Sequence, residues 1–189
     1  LLAGTQGARY GVAVDRDLGV VEGPDLTVLA LPNIAAKPWL PAAVVTKGKI
    51  FLLVDSNVFT APEDTPVDRP EQAVFIPASL FPTQFLKTDT AIVEFSLLGM
   101  RHAVPQEEMK DDLALLPFVP VPGTPEIVLG VAELQGELLP VLDLAALCGR
   151  RTPIGKNSRM MHLVNGDFHA LVITDEVAGS RQLNVETQR

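Results

Sequence analysis

Residues Val119 to Gly149, VPVPGTPEIVLGVAELQGELLPVLDLAALCG, constrain the fold more than any other stretch of this 189-residue chain. Two apolar runs, Ile127 to Ala132 and Glu137 to Leu144, flank Gln135-Gly136, and a short helix candidate from Asp143 to Leu147 closes the stretch. Aliphatic and β-branched residues on both sides of a glycine free to take φ > 0 predict a β-hairpin. Pro140 lies inside the second run. Lacking the N–H that a central ladder needs, it places that strand at an edge, at a bulge or across a barrel seam.

The rest of the chain has the same texture. Sixteen prolines and fourteen glycines punctuate short apolar runs in a sequence that is 47% hydrophobic and 20% charged, which favours an all-β chain over a helical bundle. With 5% aromatic residues and a single Trp39, the core is expected to be aliphatic. Alternation predicts strands at Arg9 to Asp15, Asp25 to Pro32, Thr90 to Leu98 and Arg101 to Pro105, and a hairpin at Pro41 to Asp55 around Lys47-Gly48. Residues 61–70, APEDTPVDRP, read as an extended surface linker, and 72–86 as an apolar packing segment. Over Gln106 to Leu116, the spacing of Met109, Leu113 and Leu116 fits either a short amphipathic helix or a polar turn.

Internal repetition suggests the domain organisation. Gly48 and Asp55 are spaced like Gly136 and Asp143, and Arg9-Tyr-Gly-Val parallels Arg101-His-Ala-Val. Gly11 to Leu18 likewise parallels Ala170 to Val177. Residues 1–60 therefore read as a second half-domain, 61–90 as a proline-rich linker and packing segment, and 91–189 as a first half followed by the start of another second half. Either the chain is cut from a tandem array, or its N-terminal half folds back onto 91–189 in permuted order; unpaired edges left by a cut favour the permuted order. Residue 1 is leucine in a strand-like run, which fits a fragment or a processed chain.

Chemistry is sparse. The three histidines, His102, His162 and His169, have no nucleophile signature near them, and His102 and His169 read as structural residues of alternating strands. His162 and His169 lack the further ligands that a metal site needs. The acids at 107, 108, 111 and 112 fit a solvated face. No phosphate-binding loop occurs, and a formal net charge of -8 argues against a nucleic-acid partner. Cys148, the one cysteine, excludes an internal disulfide and is expected as a small buried apolar side chain. No apolar run nears the roughly 20 residues that span a bilayer, so no direct membrane insertion and a cytoplasmic location are expected.

In order and at matching spacing, Pro122-Gly-Thr-Pro125, Leu129-Gly130-Val131, Leu134-Gln135-Gly136 and Leu139-Pro140-Val141-Leu142-Asp143-Leu144 resemble the CheW-like domain of bacterial chemotaxis signalling. Gln135 stands where that family usually carries an arginine tied to partner contacts. The resemblance implies an all-β fold of two small SH3-like five-stranded β-barrel subdomains with a few short helices. It also implies a non-enzymatic adaptor without a cofactor, coupling the cytoplasmic tip of a chemoreceptor to the regulatory domain of a CheA-type histidine kinase. The partner-binding residues expected are Glu133, Leu134, Gln135, Gly136, Pro140 and Asp143, since exposed loops on rigid scaffolds commonly carry binding. The alternatives are a small-ligand-binding β-barrel and a regulatory module of a larger kinase. Repeated halves also open the way to a half-swapped dimer.

Overall fold

The structure, a computed structural model, describes residues 2–3, 10–11, 26–54 and 91–182, with side chains described over 26–54 and 91–180. The linker and packing segment expected over 61–86 lie outside the described residues. Strands β1 (Leu2–Ala3) and β2 (Tyr10–Gly11) pair antiparallel. Strands β3 (Thr27–Ala30), β4 (Ala42–Thr46) and β5 (Lys49–Leu53) form an antiparallel meander. Then come β6 (Ala91–Leu97), β7 (Met100–Pro105), β8 (Met109–Ala114), β9 (Phe118–Val119) and β10 (Val128–Leu134). Strands β11 (Glu137–Leu142), β12 (Arg159–Asn165), β13 (Phe168–Thr174) and β14 (Glu176–Gln182) complete the set. Among the described residues the helical segments are two 3₁₀ turns, Gln106–Glu108 and Leu144–Cys148, so the fold is all-β.

Three hairpins are built alike. Lys47-Gly48, Leu98-Gly99 and Gln135-Gly136 each place two successive residues at positive φ, at 47° and 72°, 55° and 73°, and 55° and 86°. That is the two-residue loop whose twist matches the flanking strands. Glycine carries the second position at no steric cost; a leucine, a lysine and a glutamine tolerate the first.

Over 106–116, a 3₁₀ turn and then β8 take the place of the expected helix or polar turn. The half-buried side chains are Met109, Asp111 and Leu113, in alternation, so the period here is two.

Six strands form the largest sheet, in the order β8-β12-β13-β11-β10-β9, with β11 and β13 parallel and the other pairs antiparallel. Laid flat, its two edge strands would stand about 24 Å apart, five strand spacings. Those edges, β8 and β9, are joined by only Leu115–Pro117. The four residue steps from Ala114 to Phe118 reach at most ~14 Å. The sheet must therefore curl, and it wraps an aliphatic core of Ala132, Leu139, Val141, Met160, Leu171 and Ile173, onto which Leu113, Leu115, Leu116 and Phe118 pack.

The outer face of the curled sheet is covered twice. At its β12–β13 end lies the three-stranded sheet β14-β6-β7, and between them sit Phe95, Leu97, Val128, Leu142, Met161, Ala170 and Val172. At its β10–β11 end lies the β3–β5 meander, with Leu31, Ala35, Leu40 and Ala43 packed against Val121, Val131 and Leu138. The ladders do not close into the two five-stranded barrels expected. The chain turns its corners at Pro105–Glu108 and at Asp175, where backbone pairing passes from one sheet to another. Among the described residues the strands form four sheets, and the three that lie within 26–54 and 91–182 pack on one another through side chains.

Candidate partner-binding site

The hairpin of β10 and β11 projects from the curled sheet, and its tip is the most exposed part of the Val119 to Gly149 stretch before the 3₁₀ turn. Gln135, Gly136 and Glu137 are exposed, whereas Glu133 and Leu134 are half-buried. Glu133 does not project freely: its Oε1 accepts a hydrogen bond from the Gly136 N–H at 2.7 Å, which rigidifies the turn. Leu134 packs against the core inside the curled sheet. Gln135 and Glu137 are thus the exposed side chains of this tip.

Pro140 and Asp143 are buried and present no side-chain surface. Both shape the site from within. Pro140 sits opposite Val131 in the β10–β11 ladder, and on its other side the parallel pairing of β11 with β13 begins one residue later, at Val141 with Leu171. A proline cannot donate to that second ladder, and β11, an interior strand rather than the edge its proline allowed for, pairs with β13 only beyond it. Where the strands diverge, a cleft of about 590 Å³ opens. Its walls are Glu137 to Pro140 of β11, Asp167 to His169 at the start of β13, and Leu31 to Ile34 ahead of β4. Phe168, 49% exposed, stands at its mouth with the carboxylates of Glu137 and Asp167.

Asp143 anchors the hairpin's base. Its Oδ1 accepts from the Ala145 N–H at 3.0 Å and from the Thr152 hydroxyl at 2.6 Å, and its Oδ2 accepts from the Thr152 N–H at 3.0 Å. This caps the 3₁₀ turn and ties it to the segment leading into β12, which satisfies a carboxylate that is 1% exposed. Gly130 has a steric task. A Cβ there would stand 2.2 Å from the Val119 carbonyl oxygen, so only glycine lets β9 lie against β10.

Cys148 is exposed at the end of that 3₁₀ turn, not buried as expected. A short turn at the surface offers it no apolar layer, and Leu147 beside it is exposed as well. His162 is buried in β12, its Nδ1 3.5 Å from an Asp111 carboxylate oxygen, with neither ring nitrogen hydrogen-bonded. Burial pushes its pKa below the usual histidine value, against the opposing pull of Asp111. Its ring lies 5.6 Å from that of His169, tilted by 57°. Among the described residues no three His, Cys, Asp or Glu side chains converge on a metal-sized site.

The sequence placed the hairpin turn at Gln135-Gly136, but not the cleft, because Leu31 to Ile34 and Asp167 to His169 lie far from Pro140 in sequence. The available signals were the Pro32-Asn33 break and the Asn165-Gly166-Asp167 turn followed by an apolar Phe168.

A family model, CheW-like domain, matches residues 91–188. Protein FrzA of Myxococcus xanthus is 35% identical over 92 residues, covering 48% of this chain and 58% of FrzA. Protein PilI of Pseudomonas aeruginosa is 31% identical over 96 residues, covering 50% of this chain and 54% of PilI. The chain therefore spans little more than half the length of each of these relatives. The crystal structure of the scaffolding protein TtCheW from Thermoanaerobacter tengcongensis aligns with 24% identity and a TM-score of 0.48, over 51% of this chain and 67% of that one. With the family model matched across half its length, the chain belongs to the CheW-like domain family.

Proposed function

We propose that this protein is a non-enzymatic cytoplasmic adaptor that couples chemoreceptors to a CheA-type histidine kinase through protein–protein contacts. The observation that carries the reading is a rigid hairpin tip, Gln135 to Glu137, set on a curled sheet beside an open cleft. In this reading the tip and the adjoining edge meet the like-folded regulatory domain of the kinase. The cleft, with Phe168 exposed at its mouth and the half-buried Pro32 and Ile34 on one wall, receives a helical receptor tip. Membership of the CheW-like family supports the signalling role.

A pull-down with the kinase regulatory domain tests the tip. Leu134 is unsuitable as a probe, because a charge there would enter the core. The exposed Gln135 is the better choice: Gln135→Glu abolishes capture without changing the melting temperature, and undiminished capture removes the tip from the interface. The cleft's volume also falls within the range of small-molecule sites, which favours a second reading as a ligand-binding domain. That reading requires a thermal shift with a metabolite and none with the kinase domain.

A further inference from the structure

The β3–β5 meander is attached to the curled sheet without a single shared ladder among the described residues. Among the described residues what holds it is side-chain packing: Leu31, Ala35, Leu40 and Ala43 on one side, Val121, Val131 and Leu138 on the other. Residues 26–54 lie outside the stretch that matches the family model, 91–188, and cover an apolar face of it. The same segment supplies Leu31 to Ile34, one wall of the cleft.

Two properties follow from this geometry. First, the contacts are identical whichever copy of the chain provides the meander, so cis and trans docking differ in concentration dependence and not in interface quality. Second, residues 55–90 separate the meander from β6, and 36 residues can span up to ~120 Å. The connection does not compel a meander to dock on its own sheet.

We propose that residues 26–54 form an exchangeable half, donated between two copies of this chain to give a reciprocal dimer in which each cleft is built from both. Leu31 to Ile34 of one copy then face Pro140 and Phe168 of the other. The occupant is fixed by chemistry already present: the face that fits Val121, Val131 and Leu138 is the one this chain's own meander carries.

The only tryptophan reports on docking, because Trp39 packs against the shared core. A recipient chain carries Ala43→Asp, so its own meander cannot dock, together with Trp39→Phe, so it is silent. A donor chain carries Val131→Asp, so its sheet cannot receive, and keeps Trp39. Co-refolded at high concentration, the pair should give a heterodimer by light scattering and a shift of Trp39 emission to shorter wavelength than in the donor alone. An emission equal to that of the donor alone, with monomers only, overturns the proposal. Val121→Asp serves as the donor substitution should Val131→Asp fail to fold. The unaltered chain gives a check free of folding defects. Over a hundredfold rise in concentration a dimer should grow while Trp39 emission stays constant, and Ala43→Asp should abolish it; a monomer throughout, or a dimer indifferent to Ala43→Asp, overturns the exchange.

Discussion

Gly130 is the position where one methyl group should do the most damage. A Cβ added there meets the Val119 carbonyl oxygen at 2.2 Å, its carbonyl carbon at 2.7 Å and Pro120 Cα at 3.0 Å, all backbone atoms. Ordinary contact begins at 3.4 Å, so β9 must retreat by about 1.2 Å. A hydrogen bond of about 2.9 Å stretched that far is broken. The pairing of Val131 with Val119 and of Ala132 with Phe118 is then lost. Each lost bond costs about 0.5–1.5 kcal/mol, and overpacking against unyielding neighbours adds about 1–3 kcal/mol. Gly130→Ala is expected to cost about 3–5 kcal/mol, a large share of the roughly 5–15 kcal/mol that holds a domain together. For a chain of this size that lowers the melting temperature by about 6–20 °C. Gly155→Ala is the control, since nothing lies within 4 Å of a Cβ at that position and its φ is ordinary; it should stay within about 0.5 kcal/mol of the parent. The assay is thermal unfolding by circular dichroism, with Trp39 emission following the core next to β9. A Gly130→Ala protein that melts within 2 °C of the Gly155→Ala control refutes the close approach of β9 to β10.

Three further predictions concern the charged groups. His162 has a folded-state pKa below its unfolded value, so the unfolded chain binds the proton more readily. Its contribution is complete above the unfolded pKa of about 6.5 and is lost as pH falls below it; urea midpoints at pH 7.5 and 5.5 should drop further in the parent than in His162→Leu, and equal drops contradict this. Asp143→Ala leaves the donors of Ala145 and Thr152 unpaired in a buried site and should cost about 2–4 kcal/mol in urea unfolding; a change under 1 kcal/mol contradicts the anchoring role. Arg159 and Asp112 meet at 2.9 Å with both side chains more than a third exposed, so solvent screens the pair and Arg159→Ala should leave the urea midpoint close to the parent's; a drop as large as that of Asp143→Ala contradicts this.

What the sequence revealed depended on range. Turns are local, so Lys47-Gly48 and Gln135-Gly136 marked their hairpins, and the runs at 27–30, 91–97 and 100–105 are strands as alternation suggests. Pro140 left an edge, a bulge and a barrel seam open, and the strand is none of these: β11 is interior and pairs with β13 only beyond the proline. The segment 106–116, read as a helix or a polar turn, holds a strand instead: Met109 and Leu113, four residues apart, share a face in a helix and in a strand alike, so their spacing does not separate the two. The curl of the six-stranded sheet, the parallel β11–β13 pair and the cleft depend on contacts between residues about 30 to 140 positions apart, and no local pattern encodes them. Cys148 was misjudged because its residue type favours burial while its place at the end of a surface turn does not.

The central claim is that this CheW-like chain acts as an adaptor through its hairpin tip. Size-exclusion chromatography with light scattering tests it, on the chain alone and mixed with the regulatory domain of a CheA-type kinase. The account predicts a stoichiometric complex that disappears with Gln135→Glu while the variant keeps the parent's melting temperature. A chain that elutes unchanged in the presence of the kinase domain, or a complex indifferent to Gln135→Glu, contradicts it.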